Sequence, residues 1–227
     1  MNSRLASLKN RHVDERCVLV CNGPSLNNMN LSFLKREYCI GLNKIYLGFN
    51  KFRFYPQYYV AINSHVLRQS EHEIKKLTSR KFLSAKASDI FKENSLTHLI
   101  NTGLPPSIFS TDIAYGIGEG WTVTYAALQI AYHLGFKEII IIGMDHRFQF
   151  EGRANETNRM LGKDCNHFCD TYFSGQKWDN PDLDNSEKSY KHAKEIFEKD
   201  NRVIYDATVD GACNVFKKIN YKEYFGI

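Results

Sequence analysis

This sequence lacks several features that would assign a protein directly to a large functional class. No run of about 18 apolar residues occurs, so no segment is predicted to span a membrane. Residues 1–16 lack the continuous apolar core of a secretory signal. The net charge is only +5, and lysines and arginines are scattered among acidic residues. We therefore expect a cytoplasmic protein with no nucleic-acid partner.

The two commonest glycine-rich signatures of nucleotide binding are also missing. No G-x-x-x-x-G-K-[ST] loop occurs in the chain, and no G-x-G-x-x-G follows its first apolar run. These absences disfavour P-loop ATP binding and conventional NAD binding. Other kinds of nucleotide site stay open.

The cysteines form no recognisable framework. Three of the six fall inside apolar runs, where free cysteine behaves as a small buried hydrophobic residue, so reduced thiols are expected. Cys165, His167 and Cys169 have a spacing that could hold a soft metal ion. The sequence lacks the second ligand cluster that structural zinc sites use, and we predict no metal site.

Short apolar runs that end in a polar residue are what the sequence does contain. Continuous runs of this kind are typical of buried parallel strands, and an open α/β sheet lines its ligand crevice with the residues that follow them. The first three are residues 18–21 before Asn22, residues 38–42 before Asn43, and residues 58–62 before Asn63.

Further periodic segments complete a fold prediction. With 43% hydrophobic residues, the chain has enough apolar surface to bury a core. We predict one Rossmann-like α/β domain over residues 1–227, with a mostly parallel twisted sheet and helices on both faces. The remaining predicted strands are 80–83, 96–101, 138–142 and 202–205, and the clearest predicted helices are 122–134 and 185–199.

The turn after the first strand is a candidate anion site. Gly23 permits a sharp turn, Pro24 fixes a helix-compatible φ, and Ser25 brings a hydroxyl to the start of a helix predicted near that residue. With Asn22, these residues are predicted to bind a nucleotide. The alternative is that the turn simply caps a helix.

A second glycine-rich segment precedes the helix predicted from residue 122. Gly116, Gly118 and Gly120 give a flexible backbone, and Thr122 places a hydroxyl in the first helical turn. Two such helix starts on one sheet favour a nucleotide ligand, so Gly120 and Thr122 join the predicted site.

Three residues are candidates for catalysis. Asp145 and His146 follow the strand predicted at 138–142, where a carboxylate could position a hydroxyl or a metal and a histidine could move a proton. Alternatively, Asp145 only caps the next turn. His167 lies in a segment at about 147–182 that is too long for a simple connection, and its aromatic neighbours suit a sugar or planar ring.

These motifs together resemble a superfamily that joins the bacterial sialyltransferases of glycosyltransferase family forty-two to the archaeal 6-hydroxymethylpterin diphosphokinase MptE-like domain. The resemblance is carried by N-G-P-S-L at Asn22–Leu26, by Asn43, and by the helix-to-strand block from Thr122 to Asp145. The loop Cys165–Phe173 resembles uncharacterised MptE-like proteins found with surface-polysaccharide genes.

The resemblance implies a nucleotide-sugar-dependent glycosyltransferase in surface glycan biosynthesis, with a CMP-sugar as one donor. His167 would deprotonate the acceptor hydroxyl, and no cofactor or metal would be needed. The partners implied are a nucleotide sugar and a glycan acceptor. Independently of the resemblance, the basic segment Phe216–Lys222 is a candidate for peripheral contact with the inner face of a membrane, or contacts nothing. Tyr55, Tyr58 and Tyr59 could form an interface or pack in the core, so a homo-oligomer stays open.

Two alternatives stay open. An MptE-like diphosphokinase would use ATP and Mg²⁺, with Asp145 as the leading ligand and Asp112 as a second. A non-catalytic nucleotide-binding partner protein would place neither His146 nor His167 at the nucleotide pocket.

Overall fold

The computed structural model describes all residues, 1–227, and is built on one parallel sheet flanked by helices. The strands are β1 (Arg16–Val20), β2 (Tyr38–Leu42), β3 (Tyr58–Ala61), β4 (Arg80–Ser84), β5 (Thr97–Ile100), β6 (Glu138–Ile142), β7 (Thr157–Arg159), β8 (Lys177–Asp179), β9 (Val203–Asp206) and β10 (Lys217–Lys218). The α-helices are α1 (Ser3–Ala6), α2 (Phe49–Phe52), α3 (Ser64–Gln69), α4 (Glu71–Lys76), α5 (Val123–Leu134), α6 (Leu183–Lys199) and α7 (Tyr221–Phe225). No helix is both long and apolar enough to cross a membrane.

The strand order places a topological switch point at the centre of the sheet. The order is β10-β9-β6-β1-β2-β3-β4-β5, and every pairing is parallel. From β1 the chain builds outward through β2 to β5, then returns to place β6 on the other side of β1. Open sheets of this kind bind ligands beyond the carboxyl ends of the strands at the switch point.

The central strands are apolar because the sheet is covered on both faces. Cys17–Val20 in β1 and Ile139–Ile142 in β6 are completely buried. Alternate residues of β1 belong to two separate core clusters, one on each face. Helices α5 and α6 cover one face, and α3 and α4 pack with the aromatic part of the 147–182 loop on the other. The predicted α/β architecture is therefore confirmed.

Two local predictions are wrong, and one open alternative is decided. The segment Pro24–Asn28 forms a single 3-10 turn instead of an α-helix, because its asparagines favour turns and the chain is extended again at Met29. The 147–182 segment contains an antiparallel hairpin, β7–β8. Of the two roles open to the tyrosines, core packing holds for Tyr58 and Tyr59, which are buried, whereas Tyr55 is 65% exposed.

Candidate functional site

A cavity of about 530 Å³ lies at the switch point. Its floor is formed by the carboxyl ends of β1, β2, β3 and β6, and its walls by the start of α5 and the 147–182 loop. Of the predicted site residues, Asn22, Gly23, Asn43, Asn63, Thr122, Asp145, His146 and His167 line it. Pro24, Ser25 and Gly120 do not.

The turn after β1 already holds an anion, the carboxylate of Asp145. Its oxygens accept hydrogen bonds from the backbone N–H of Ser25 at 3.0 Å and from the Ser25 hydroxyl at 2.6 Å. A Cβ on Gly23 would lie 1.8 Å from the carboxylate, so only glycine permits this approach. The prediction that the Ser25 hydroxyl meets a ligand is therefore wrong. Asp145 joins the ends of β1 and β6 and does not cap the turn that follows it.

Two asparagines at the ends of β1 and β2 carry unsatisfied acceptors. Asn22 is 8% exposed and donates through Nδ2 to the carbonyl of Leu42 at 3.1 Å, while its Oδ1 has no partner. That bond fixes the amide orientation, because a flip would place oxygen against oxygen. Oδ1 of Asn43 is buried and unpaired as well, on a residue with a left-handed φ of 45°. A buried acceptor without a donor costs about 1–3 kcal/mol, which a ligand N–H or O–H would offset.

Asn63, at the end of β3, lines the same cavity but has a structural role. Its Oδ1 caps α3 by accepting from the N–H groups of His65 and Val66, at 2.8 and 3.1 Å. Its Nδ2 donates to Asp179 in β8 at 2.7 Å. Asn63 was a candidate nucleotide-binding residue, but its amide oxygen and nitrogen are both engaged within the protein.

The α5 start supplies the positive end of a helix dipole. Thr122 caps α5 by accepting from the N–H of Thr124 at 3.3 Å, and its Oγ1 lies 3.3 Å from the phenol oxygen of Tyr190. Burial raises the pKa of Tyr190, so its hydroxyl stays protonated. Gly120 does not line the cavity; it forms the turn, at φ 58°, and a Cβ there would clash with the Tyr125 ring. An anionic group could meet the helix start here.

No lysine or arginine lines the cavity, whereas three carboxylates do. The carboxylates belong to Glu119, Asp145 and Asp179. A phosphate would therefore depend on backbone N–H groups, hydroxyls and histidine. This set suits a ligand of low negative charge better than a bare triphosphate.

The clearest catalytic geometry is a histidine–carboxylate dyad in the loop. Nδ1 of His167 lies 2.8 Å from Oδ2 of Asp164, whose side chain is completely buried. The imidazole stacks on the Tyr172 ring, with centroids 3.9 Å apart and planes 2° from parallel. Because an ionised carboxylate only accepts, Nδ1 carries the proton and Nε2 is left to accept one.

The buried carboxylate of Asp164 stays ionised. Burial alone would raise its pKa, but the hydrogen bond from His167, the positive charge of that imidazole when it is protonated, and the N–H groups of Asn166 and Phe173 hold the pKa below its usual value. The sequence prediction found His167 and missed Asp164. Its position three residues before a candidate base was the sequence signal that could have identified Asp164.

A second pair involves His146, whose Nε2 lies 3.1 Å from Oε1 of Glu187 in α6. His146 adopts a left-handed φ of 55° directly after the switch point, a conformation that is uncommon outside glycine but more frequent for histidine, asparagine and aspartate than for other residues. Glu187 was also missed, because nothing in the sequence ties a helix residue to a strand end so far upstream.

The 147–182 loop is hydrogen-bonded directly to the turn after β1. The N–H of Phe168 donates to the carbonyl of Asn22 at 2.9 Å, and Nδ2 of Asn27 donates to the carbonyl of Phe168 at 3.0 Å. These bonds place the residue after His167 against the turn that ends β1. The dyad and the free asparagine acceptors therefore face a common space.

The residues considered as metal ligands do not converge. Cys165 and Cys169 point to different partners, Gln149 and Thr171, and the imidazole of His167 is paired with Asp164. Asp112 pairs with Lys9 at 2.8 Å and does not line the cavity, so its assignment as a second magnesium ligand is wrong. No group of three or more His, Cys, Asp or Glu residues could hold a metal ion.

An all-parallel sheet with a cavity at its switch point places the chain among Rossmann-like α/β proteins. A family model described as 6-hydroxymethylpterin diphosphokinase MptE-like matches residues 1–151, and the chain belongs to this family. This confirms the resemblance seen in the sequence. The matched part contains the β1 turn and Asp145, and it ends before the His167–Asp164 dyad.

The fold is also that of a solved structure, the MAf glycosyltransferase from Magnetospirillum magneticum AMB-1. The two share 14% sequence identity at a TM-score of 0.58, over 96% of this chain and 37% of the other. At that identity the similarity shows the fold alone, and this chain spans well under half of the other protein's length. No curated protein matches the chain.

Proposed function

We propose that this protein is a nucleotide-sugar-dependent glycosyltransferase that acts without a metal ion, in the synthesis of a surface glycan. The observation that carries the proposal is the His167–Asp164 dyad, whose imidazole lines the switch-point cavity and pairs with Asp164 through Nδ1, so that Nε2 has no partner. The glycosyltransferase fold neighbour and the MptE-like family are consistent with a transferase.

The reaction would be a direct displacement. Nε2 of His167 takes the proton of an acceptor hydroxyl as its oxygen bonds to the anomeric carbon of the donor sugar. The bond from that carbon to the phosphate oxygen breaks, and the nucleotide leaves with the electron pair. Asp164 stabilises the imidazolium that forms. The α5 start and the Thr122 hydroxyl would stabilise the leaving phosphate.

A CMP-sugar is the donor that we propose to test first. A monophosphate linkage brings less charge into a cavity without lysine or arginine than a diphosphate or triphosphate does. The unpaired oxygens of Asn22 and Asn43 would accept hydrogen bonds from ligand N–H or O–H groups, which a cytosine amino group and ribose hydroxyls provide.

The family description favours a second candidate, a diphosphokinase that uses ATP and Mg²⁺. Asp145 is the only carboxylate at the β1 turn, and both of its oxygens already accept hydrogen bonds from Ser25. The donor set therefore does not fit a magnesium site, and we derive no step through the ion. A purely non-catalytic role is disfavoured, because both His146 and His167 line the cavity.

A thermal-shift panel separates these candidates, because a ligand that binds only the native state raises the melting temperature. The panel comprises CMP, CDP, UDP and GDP without metal, and ATP with Mg²⁺, each with and without pterin. We expect CMP to stabilise the protein without Mg²⁺. Stabilisation by ATP with Mg²⁺ alone would overturn the proposal in favour of the diphosphokinase.

The biological setting is part of the same proposal. We propose a glycan acceptor, a cytoplasmic location and at most peripheral contact of Phe216–Lys222 with the inner face of the membrane. A homo-oligomer stays a prediction, for which sedimentation of the purified protein is the measurement.

A further inference from the structure

A buried lysine stands behind the dyad and outside the cavity. Lys44 follows Asn43 directly and is only 2% exposed. Its Nζ donates to the backbone carbonyl of Tyr172 at 2.7 Å and to Oε1 of Gln176. The ammonium also lies 4.6 Å from the centroid of the Phe173 ring. Lysine is among the residues least often buried, so a specific role is expected here.

Lys44 holds Tyr172 at both ends. Besides the bond from Nζ to the Tyr172 carbonyl, the backbone N–H of Lys44 donates to the Tyr172 phenol oxygen at 3.1 Å. Tyr172 is itself almost completely buried, and its ring lies flat against the His167 imidazole. The position of the ring therefore follows the position of Lys44.

Two contacts define the orientation of the imidazole. Asp164 binds one edge and fixes the tautomer, and Tyr172 supports one face and fixes the plane. We infer that Lys44 is a positioning residue that acts through Tyr172 to aim Nε2 of His167 into the cavity. This inference rests on the proposed function, in which His167 is the base.

The chemistry of the site explains why a costly residue is kept there. Burial lowers the pKa of Lys44 to about 8, although the negative charge of Asp164 acts in the opposite direction. An apolar side chain would avoid this desolvation. It would also leave the carbonyl of Tyr172 and the oxygen of Gln176 without donors, so only the bond from the backbone N–H of Lys44 to the Tyr172 phenol would still link the loop to the end of β2.

The test compares Lys44→Met with Lys81→Met. Lys81 is also buried, and its Nζ donates to the carbonyls of Leu77 and Ser79, far from the dyad in sequence and outside the cavity lining. Methionine keeps the length of the side chain and removes the charge and the donors. If kcat falls only because a buried lysine has been removed, it should fall in both variants.

We expect Lys44→Met to lower kcat by about 10- to 100-fold through misplacement of the base. The KM for the donor should not change. The ¹⁵N imidazole signals of His167, assigned with His167→Ala, should shift in Lys44→Met and stay in place in Lys81→Met. An unshifted His167 signal, or a kcat equal to that of Lys81→Met, would overturn the inference.

A second variant covers the case in which Lys44→Met does not fold. Tyr172→Leu removes the stacked ring and leaves the lysine, and it should show the same loss of kcat with an unchanged KM. Wild-type kcat in Tyr172→Leu would also overturn the inference. Failure of the proposed function looks different, because His167→Ala would then retain full activity.

Discussion

The two halves of the candidate site are built in opposite ways. The half formed by the strand ends leaves hydrogen-bond acceptors unused, at Oδ1 of Asn22 and Oδ1 of Asn43. In the half formed by the 147–182 loop, no buried side-chain polar atom lacks a partner; Asn166, for example, donates to and accepts from the backbone of Gln149. The ring nitrogen Nε2 of His167 is left for a ligand.

This contrast separates binding from chemistry. Unused acceptors on a rigid sheet are suited to hold a ligand, whereas a saturated loop is suited to hold a base still. The family model covers the first half and ends before the dyad. Changes in the two halves should therefore have different kinetic signatures, and the predictions below run from the largest effect to the smallest.

Removal of the base should have the largest effect. We expect His167→Ala to lower kcat by about 10²- to 10⁴-fold, the usual contribution of a general base. The dissociation constant of the nucleotide should stay the same, because the strand-end half is untouched. Steady-state kinetics and calorimetric titration measure the two quantities, and retained turnover would reject the assignment.

The tautomer can be tested with Asp164→Asn, which keeps the side-chain shape but replaces one of two oxygens that also accept from the N–H groups of Phe173 and Asn166. In Asp164→Asn the amide can donate to Nδ1, which moves the imidazole proton to Nε2 and removes the accepting lone pair. We expect a kcat loss that approaches that of His167→Ala, with nucleotide binding unchanged. Raising the pH should not restore the rate, whereas a rate equal to wild type would show that the tautomer does not matter.

The role of the unpaired amide oxygens can be tested at Asn43, because this position accepts a glycine. Asn43→Gly deletes Oδ1 and keeps the left-handed backbone that the position requires. We expect the nucleotide dissociation constant to rise about tenfold, the value of one hydrogen bond to a buried group, with little change in kcat at saturation.

Asn63→Ala is the matched control for Asn43→Gly. Both asparagines follow neighbouring strands and line the cavity, but Asn63 uses its oxygen to cap α3. The control should lose about 1 kcal/mol of unfolding free energy and keep the nucleotide affinity. Equal affinity losses in both variants would abolish the distinction between free and committed amides.

The sequence patterns located the sheet more accurately than the site. The bounds of β2 and β6 match their apolar runs, because parallel strands buried on both faces are continuous apolar segments. The same principle predicted the asparagines at the strand ends. The patterns could not predict which of these amides stay unpaired. That depends on contacts with residues such as Asp179, which is distant in the sequence.

The errors at the site share one physical cause. The Ser25 hydroxyl is taken by Asp145, 120 residues away in the sequence. From α6, which was predicted only as a helix, Tyr190 lines the cavity and Glu187 pairs with His146. Long-range pairing of polar groups leaves no local period in a sequence, so only Asp164, three residues from His167, had a local signal.

The smallest predicted effect concerns acid stability. The pKa of Asp164 is lower in the folded protein than its unfolded value of about 3.9. Its ionised form therefore stabilises the fold fully above that value, and the stabilisation is lost as the pH falls through the folded pKa. Urea unfolding should show that wild type loses more stability on acidification than Asp164→Asn does.

Asp170→Asn provides the comparison for that experiment. Asp170 is an exposed carboxylate of the same loop, with Lys163 as its ionic partner at 3.4 Å. Its substitution should leave the acid sensitivity at the wild-type level. If Asp164→Asn behaves in the same way, the buried carboxylate does not stabilise the loop half.

The central claim is that the cavity joins nucleotide-sugar binding to a histidine base, and ³¹P NMR tests it most directly. The protein is incubated with CMP-, UDP- and GDP-sugars and a panel of saccharide acceptors without metal, and separately with ATP, Mg²⁺ and 6-hydroxymethylpterin. We predict release of a free nucleotide from one sugar donor, which His167→Ala abolishes. Release of AMP in the second mixture, with every nucleotide sugar intact, would contradict the claim.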